Sequence, residues 1–292
     1  MEEGIKRGYL HKDFKFFHLR DKNNLQFEHH YHDFNKIIIF IDGDVIYNIE
    51  GKSYRLRPWD VLFVPQNQVH RPIIGAEEEY ERIVIWINKT FLEEHGNAEN
   101  DLLTCFNIAR ENKHLVRLGE GSLNSIKSIL TRIEAEIKNR LFGSVIMGNA
   151  LFVQFMVYVN RLSQKPEKPT ESIEVEYDEQ IQKVIRHINE NLDGDLSIAA
   201  LARLFFMNKY YLMHKFKDNT GYSIHSYVNS KRLQKGADLI KAGMSPSEVS
   251  VQCGFNDYSS FVRAFSKLYG SPPKKYYKAT KQSKDSLFQV EG

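Results

Sequence analysis

Residues able to do chemistry gather in two places along the chain. The first is a group of histidines, His29, His30 and His32, with His70 beyond the apolar run that ends at Pro65. In an extended strand His30 and His32 point to the same face. Three imidazoles from adjacent strands, His30, His32 and His70, suit a metal ion, a set of hydrogen-bonded structural side chains, or a small-molecule pocket. Lys36 follows His32 by four residues, and an ammonium there repels a divalent cation. No metal and no cofactor is therefore assigned. In the pocket reading His30, His32 and Lys36 supply donors beside His70, and Tyr47, Trp59 or Trp86 supplies an aromatic wall. An aromatic face against the C–H face of a sugar, with a few polar groups fixing orientation, is the chemistry of such a site. Lys36 equally suits an anionic sugar or a phosphate, or snorkels to solvent. The structural alternative keeps the histidines as hydrogen-bonded residues at a barrel mouth.

The second place is the last third of the chain. Residues 1–170 carry 23 Lys+Arg and 23 Asp+Glu, residues 171–200 carry 2 against 8, and residues 201–284 carry 15 against 4. A basic module behind an acidic collar is the footprint of a phosphate-binding surface, or of a solvated Lys-rich face. Two segments inside it share one plan, a short helix, a tight turn and a second helix ending in Phe and Lys. In Leu201–Lys217, Leu201, Ala202 and Phe205 are expected to pack on Leu212 and Phe216, with Asn208 as cap. Lys209, Tyr210, Met213, His214 and Lys217 then face outward. In Val249–Lys267, Gly254 makes the turn, Asp257 caps, Phe261 and Phe265 point inward, and Tyr258, Ser259, Val262 and Arg263 face out. This is the helix-turn-helix plan, twice. A connecting helix over Ile224–Ala242, roughly 28 Å long, could hold both recognition helices in grooves about 34 Å apart.

The elements that must position these residues are legible from periodicity. From Phe14 to about Ile87 the chain reads as short strands: 37–41 and 45–49 flanking Asp42-Gly43, a hairpin signal, then Glu50-Gly51, 53–56, 61–64 and 82–87. Turns about every ten residues predict an antiparallel barrel or jelly roll. Leu123, Ile126, Leu130, Ile133, Ile137 and Leu141 make one apolar stripe on a helix, expected either to pack on the barrel or to pair with a second copy, so that Ile133→Asp gives a folded monomer. A second helix follows over 145–162, apolar but interrupted or bounded by Asn149, Gln154 and Asn160, and is read as buried and not as a membrane span. Pro166 and Pro169 mark a linker. The expected architecture is therefore α+β. Residues 1–162 form an antiparallel β domain with dimerisation helices, 163–177 the linker, 178–280 an all-α domain with two helix-turn-helix units, and 281–292 a tail.

The composition is ordinary for soluble protein: 292 residues, 42% hydrophobic, 26% charged. At roughly 150 residues per domain this length suggests two domains. Two cysteines, Cys105 and Cys253, make no disulfide scaffold and are read as reduced thiols of a cytoplasmic protein. The N-terminus shows no apolar run, so no signal peptide is expected. No phosphate-cradling glycine loop, nucleophile elbow or local Cys-His pair is visible.

The last third resembles the AraC/XylS (arabinose-regulator) family of bacterial transcription factors, through the text from Tyr210 to Gly243 and then Gly254-Phe255, Phe265, Gly270 and Pro273. The resemblance extends over residues 10–90 to the family's cupin-type sensor, through His30-Tyr31-His32, Gly51-Lys52-x-Tyr54-x-Leu56, Pro58-x-Asp60 and His70. It implies a dimeric, effector-responsive regulator, usually an activator acting with RNA polymerase, often on sugar metabolism. It also implies that Tyr210, Met213 and His214, and Tyr258, Ser259, Val262 and Arg263, face the bases. Met213 can touch a thymine methyl but makes no bidentate contact. Gly236 stands where the family usually has Ala, at a cost of about 1 kcal/mol in helix stability. Metal-binding cupins place a carboxylate where this chain has Lys36, and the Pro-x-Asp turn has Trp59 where Gly is usual. The alternatives are a metal-dependent cupin enzyme with a helical accessory domain, which Lys36 opposes, and an effector-independent repressor, which the size of the sensor half opposes.

Overall fold

Strand alternation divides the apolar residues of the first half between two cores. Ile37 and Ile39 join one and Ile38 and Phe40 the other, just as Ile83 and Ile85 part from Val84. In the computed structural model, residues 5–6, 10, 13–21, 27, 29–75, 79–111, 113–166 and 175–278 are described. A five-stranded antiparallel sheet runs Leu115–Val116 (β10), Val61–Val64 (β7), Asn35–Asp42 (β4), Tyr80–Ile87 (β9) and Phe14–Asp21 (β2). A six-stranded sheet runs Ile5–Lys6 (β1), His30–Tyr31 (β3), His70–Ile74 (β8), Val45–Ile49 (β5), Lys52–Arg55 (β6) and Val175–Tyr177 (β11), with only β1 and β3 parallel. No strand pairing joins the two sheets among the described residues, so of the two expected arrangements the double-sheet jelly roll is formed and not a closed barrel.

The two Gly-containing turns do different work. Glu50-Gly51 closes a true two-residue hairpin, with Ile49 opposite Lys52 and both turn residues at positive φ (48° and 77°), as a type I′ turn requires. Asp42-Gly43, the expected hairpin, is not one. β4 pairs with β7 and β9, whereas β5 pairs with β6 and β8, so this turn carries the chain from one sheet to the other. The apolar faces explain the difference. Ile38 and Phe40 meet Val45, Tyr47 and Ile49 within one core, which a sandwich satisfies and a side-by-side pair cannot. A Cβ at Gly43 would lie 2.5 Å from the Glu79 carbonyl oxygen, which keeps this corner to glycine.

Helices Lys89–His95 (α1), Thr104–Arg110 (α2), Glu120–Asn139 (α3) and Ser144–Gln164 (α4) cover the outer face of the five-stranded sheet. Within the stripe on α3, Ile126, Leu130 and Ile133 are fully buried against that sheet and α4, and Leu123 is half-buried. These four are core, not a dimer seam, because the sheet's outer isoleucines need covering and α3 covers them. Only Ile137 and Leu141 are exposed, and they continue into exposed Phe142, Val145, Ile146 and Met147 around the α3–α4 turn. By length and apolarity α4 could cross a membrane. Its Leu151, Phe152, Phe155, Met156 and Val159 are instead core residues. Asn160 is buried too, accepting from the Cys105 N–H at 2.7 Å and donating to the Leu102 and Met156 carbonyls.

The chain divides into two compact units at Tyr177/Asp178. Part of the stretch expected as linker is therefore not free: β11 pairs with β6, Val175 opposite Tyr54 and Tyr177 opposite Lys52. The expected tail, 281–292, and linker positions 167–174 lie outside the described residues. The second unit is helical throughout: Glu179–Glu190 (α5), Ile198–Leu204 (α6), Lys209–Thr220 (α7), Ile224–Ala242 (α8), Pro246–Gln252 (α9) and Tyr258–Tyr269 (α10). Asp178, Ser197, Asn208, Ser223, Ser245 and Asp257 cap the six, Ser245 in a reciprocal capping box with Glu248. Gly221, Gly243 and Gly270 end α7, α8 and α10 in the left-handed conformation.

Candidate effector pocket and nucleic-acid interface

Inward-facing positions of β2, β3, β4, β5, β8 and β9 converge between the sheets of the first unit. They line a cavity of about 370 Å³, walled by Phe17, Leu19, Ile38, Val84 and Trp86 and bearing His30, His32, Lys36, Tyr47, Tyr80 and Arg82. That volume lies at the small end of the range for small-molecule sites. Lys36 is buried, its Nζ 3.5 Å from the Tyr47 hydroxyl and 3.4 Å from His70 Nε2. His70 Nδ1 lies 2.9 Å from the Gln68 carbonyl, so Nδ1 carries the proton and the Nε2 lone pair faces Lys36. Burial, and then the charge of Arg82, push the Lys36 amine down to about 7. Burial, with Lys36 next in order, holds His70 well below the usual imidazole value, and burial pushes the Tyr47 phenol up. Arg82 forms an ion pair with Asp21, donates to the Tyr80 carbonyl at 3.0 Å, and stacks its guanidinium 4.1 Å from the Tyr80 ring.

The three histidines meet as their alternation predicts. Ring centroids of His30 and His70 lie 4.4 Å apart, and one nitrogen from each of His30, His32 and His70 lies within 4.8 Å of the others. Such a group is the right size for a metal. The donor set does not fit one, because the lone pair that His70 would give to a metal faces the Lys36 amine, and among the described residues no carboxylate joins the group. Trp59 does not belong to this site. It packs against the helix-side core, with Lys127 Nζ 4.3 Å from its ring, because the Pro58-x-Asp60 turn puts it at φ 70° on the far side of the sheet. Asp60 in that turn accepts two bonds from Arg117, at 3.0 and 3.1 Å, in a buried pair. Sequence reasoning missed Arg82 and Tyr80. The signal was present, since Arg82 shares the parity of Val84 and Trp86, opposite to that of its charged neighbour Glu81.

In the second unit, α7 and α10 are presented alike. Asn208 Oδ1 accepts from the N–H of Tyr210 at 2.9 Å, and Asp257 Oδ1 from that of Ser260 at 2.7 Å. Leu212 and Phe216 anchor α7, with Leu201 and Ala202 of α6 buried alongside in the unit, and Phe261 and Phe265 anchor α10. Phe205 is only half-buried, edge-on to the His187 ring at 5.7 Å. Lys209, Tyr210, Met213, His214 and Lys217 are all exposed. On α10 Ser259 and Arg263 are exposed, whereas Tyr258 and Val262 are half-buried, Tyr258 against Phe261. The basic residues are not all on the surface for ligands. Arg232 is spent on the fold, donating to the carbonyls of Leu192 and Gly194, and Lys215 pairs with Asp178 at 2.6 Å. Gly236 lets α8 pass close to α9 and α10, since a Cβ there would meet Phe261 and Val249 at 3.3 Å. Cys253 is buried and its thiol is pushed up to about 11, chiefly by burial.

Comparison with known proteins agrees with both halves. Residues 16–149 match the AraC-like ligand binding domain, and residues 201–279 match a helix-turn-helix domain. Among curated proteins the chain is similar to the HTH-type transcriptional activator RhaR of Mannheimia succiniciproducens, 21% identical over 254 residues, covering 85% of this chain and 86% of that one. It is also similar to the probable transcriptional regulator LumQ of Photobacterium leiognathi, 24% identical, covering 85% and 91%. Among solved structures, apo ToxT K231A of Vibrio cholerae is 16% identical and covers 94% of this chain and 98% of that one, with a TM-score of 0.38.

Proposed function

We propose that this chain, which carries an AraC-like ligand binding domain over residues 16–149 and a helix-turn-helix domain over 201–279, is an effector-responsive transcription activator of the AraC/XylS family that reads operator DNA through α7 and α10. The single observation that carries the DNA reading is the pair of capped, outward-facing helices joined by the 19-residue α8. On α7 Lys209 and Lys217 suit phosphates, and Tyr210, Met213 and His214 suit base edges. On α10 Ser259 and Arg263 are the strongest candidates for base contact, with Tyr258 and Val262 at the margin. The effector occupies the cavity at His30, His32, Lys36, Tyr47 and Trp86, with His70 behind Lys36, and is of the sugar class by analogy with the RhaR relatives. The protein has no catalytic role of its own and works in the cytoplasm with RNA polymerase. It acts as a homodimer, and its interface is the exposed apolar turn between α3 and α4.

The test is duplex binding by the full chain across a salt series. If about five cations contact phosphates, log K falls with log salt at a slope near −4 to −5. Footprints should show paired half-sites about one helical turn apart. Salt-independent binding, or binding without any sequence preference, overturns the reading.

A further inference from the structure

The cavity of the first unit has two cations and one balancing acid. Arg82 is paired with Asp21. The Lys36 amine lies within hydrogen-bond reach of the Tyr47 hydroxyl and the His70 lone pair, both neutral, and no Asp or Glu lines the cavity among the described residues. A buried amine whose partners are all neutral is costly to keep charged, and an anion set beside it relieves that cost. We propose that the effector carries a carboxylate, received by Lys36 with the Tyr47 hydroxyl, while its body lies against Trp86, Phe17 and Val84. This deepens the effector reading above and rests on it.

The balance of charge selects the acid. One uncompensated cation matches one carboxylate. A phosphate monoester brings about −1.5 to −2 at neutral pH, and the neighbouring imidazole cannot share that load, because burial keeps His70 neutral. The groups that face Lys36 are Tyr47 on β5, His70 on β8, His30 and His32 at β3, and Arg82 with Tyr80 on β9. Among them Arg82 is cationic and the rest are neutral or weakly basic, so the site as a whole lacks a negative charge. Burial lets Lys36 keep its proton only up to about pH 7, and a carboxylate set beside the amine holds that proton firmly. The cavity volume of about 370 Å³ restricts the ligand to a small acid.

The experiment is calorimetry on the full chain with D-glucuronate, D-gluconate, benzoate, neutral D-glucose and D-glucose 6-phosphate. The two sugar acids and the aromatic acid distinguish the possible bodies of the ligand. At least one carboxylate should bind, more tightly than glucose and the phosphate ester. Lys36→Met should weaken it at least about 30-fold, as loss of one partner of a buried charge pair does. A melting curve shows that this variant is folded, and Tyr47→Phe, which preserves the ring, should give a smaller loss in the same direction. Neutral sugar binding that Lys36→Met leaves unchanged overturns the carboxylate and leaves the effector reading standing, as does tighter binding of the phosphate ester. Absence of binding by every compound overturns both.

Discussion

Lys36 shows how one side chain sets both the cost and the use of a cavity. Its amine has an ordinary value of 10.5 and is pushed down to about 7 by burial and Arg82. Between those values the unfolded chain holds a proton that the folded chain has released, so stability rises with pH across that window and is flat below it. In the absence of ligand, Lys36→Met should therefore be more stable than the parent at pH 7, by on the order of 3–5 kcal/mol, with the gap closing toward pH 10.5. Urea denaturation at several pH values measures this, and a variant less stable at pH 7 contradicts it. Single residues on the recognition helices divide by role in the same way. Arg263 is exposed and donates to Ser260 Oγ at 3.3 Å. Arg263→Ala should cost about 1–3 kcal/mol at one guanine and relax preference there, whereas Lys217→Ala should weaken all sequences alike. Binding-site selection on both variants separates the two outcomes, and an equal loss on every sequence for Arg263→Ala would show that α10 is docked in another register.

At the scale of elements, the two helix-turn-helix units depend on their turns more than on helix propensity. Gly254 between α9 and α10 has φ 76°, and a Cβ there would lie 2.5 Å from the Leu192 carbonyl oxygen and 2.9 Å from Asp193 Cα. Gly243 at the end of α8 also has positive φ, 106°, but opens onto empty space. Ala at 243 should thus carry only the backbone strain, about 1 kcal/mol, while Ala at 254 adds a clash with main chain and should cost at least about 2 kcal/mol. Thermal unfolding of the two variants tests this ordering, and equal costs would mean that the α9–α10 turn yields more than its contacts imply. The close passage of α8 at Gly236 has the same origin, a helix held near its neighbours by absence of a side chain.

At the scale of the whole molecule, exposed apolar surface decides what α3 does. Ile133 is fully buried, so Ile133→Asp places a carboxylate in the core and should unfold the sensor instead of giving a folded monomer, at a cost above about 4 kcal/mol. Phe142 is fully exposed beside Leu141, Val145 and Ile146. A contiguous apolar patch of this kind favours association. Phe142→Asp with Ile146→Asp should leave the fold intact and shift the chain from dimer to monomer in sedimentation at micromolar concentration. A wild-type chain that sediments as a monomer would remove the proposed interface. The strand β11 ends at Tyr177, one residue before the cap of α5, so the sensor's sheet holds the main chain up to the start of the second unit.

Local chemistry was readable from the sequence because it depends on near neighbours in the chain. The helix caps at Asn208 and Asp257 follow from side chains bonding to backbone a few residues away, and the span of α8 was legible in the same local way. The same is true of the meeting of His30 and His32, set by strand alternation. What the sequence left open was decided by which surfaces had to be covered. Asp42-Gly43 turns between sheets and not within one, since the faces of β4 and β5 must meet across a core. Trp59 went to the helix side through its left-handed turn, and the face of β9 that bears Arg82 was turned to the cavity by the partner sheet, which strand parity alone does not specify. The stripe on α3 reads identically whether it covers a sheet or a second chain, because periodicity records that a face is apolar but not what it touches. Only the tertiary arrangement, with five outward-facing strands requiring a cover, assigned Ile126, Leu130 and Ile133 to the interior and left Phe142 outside.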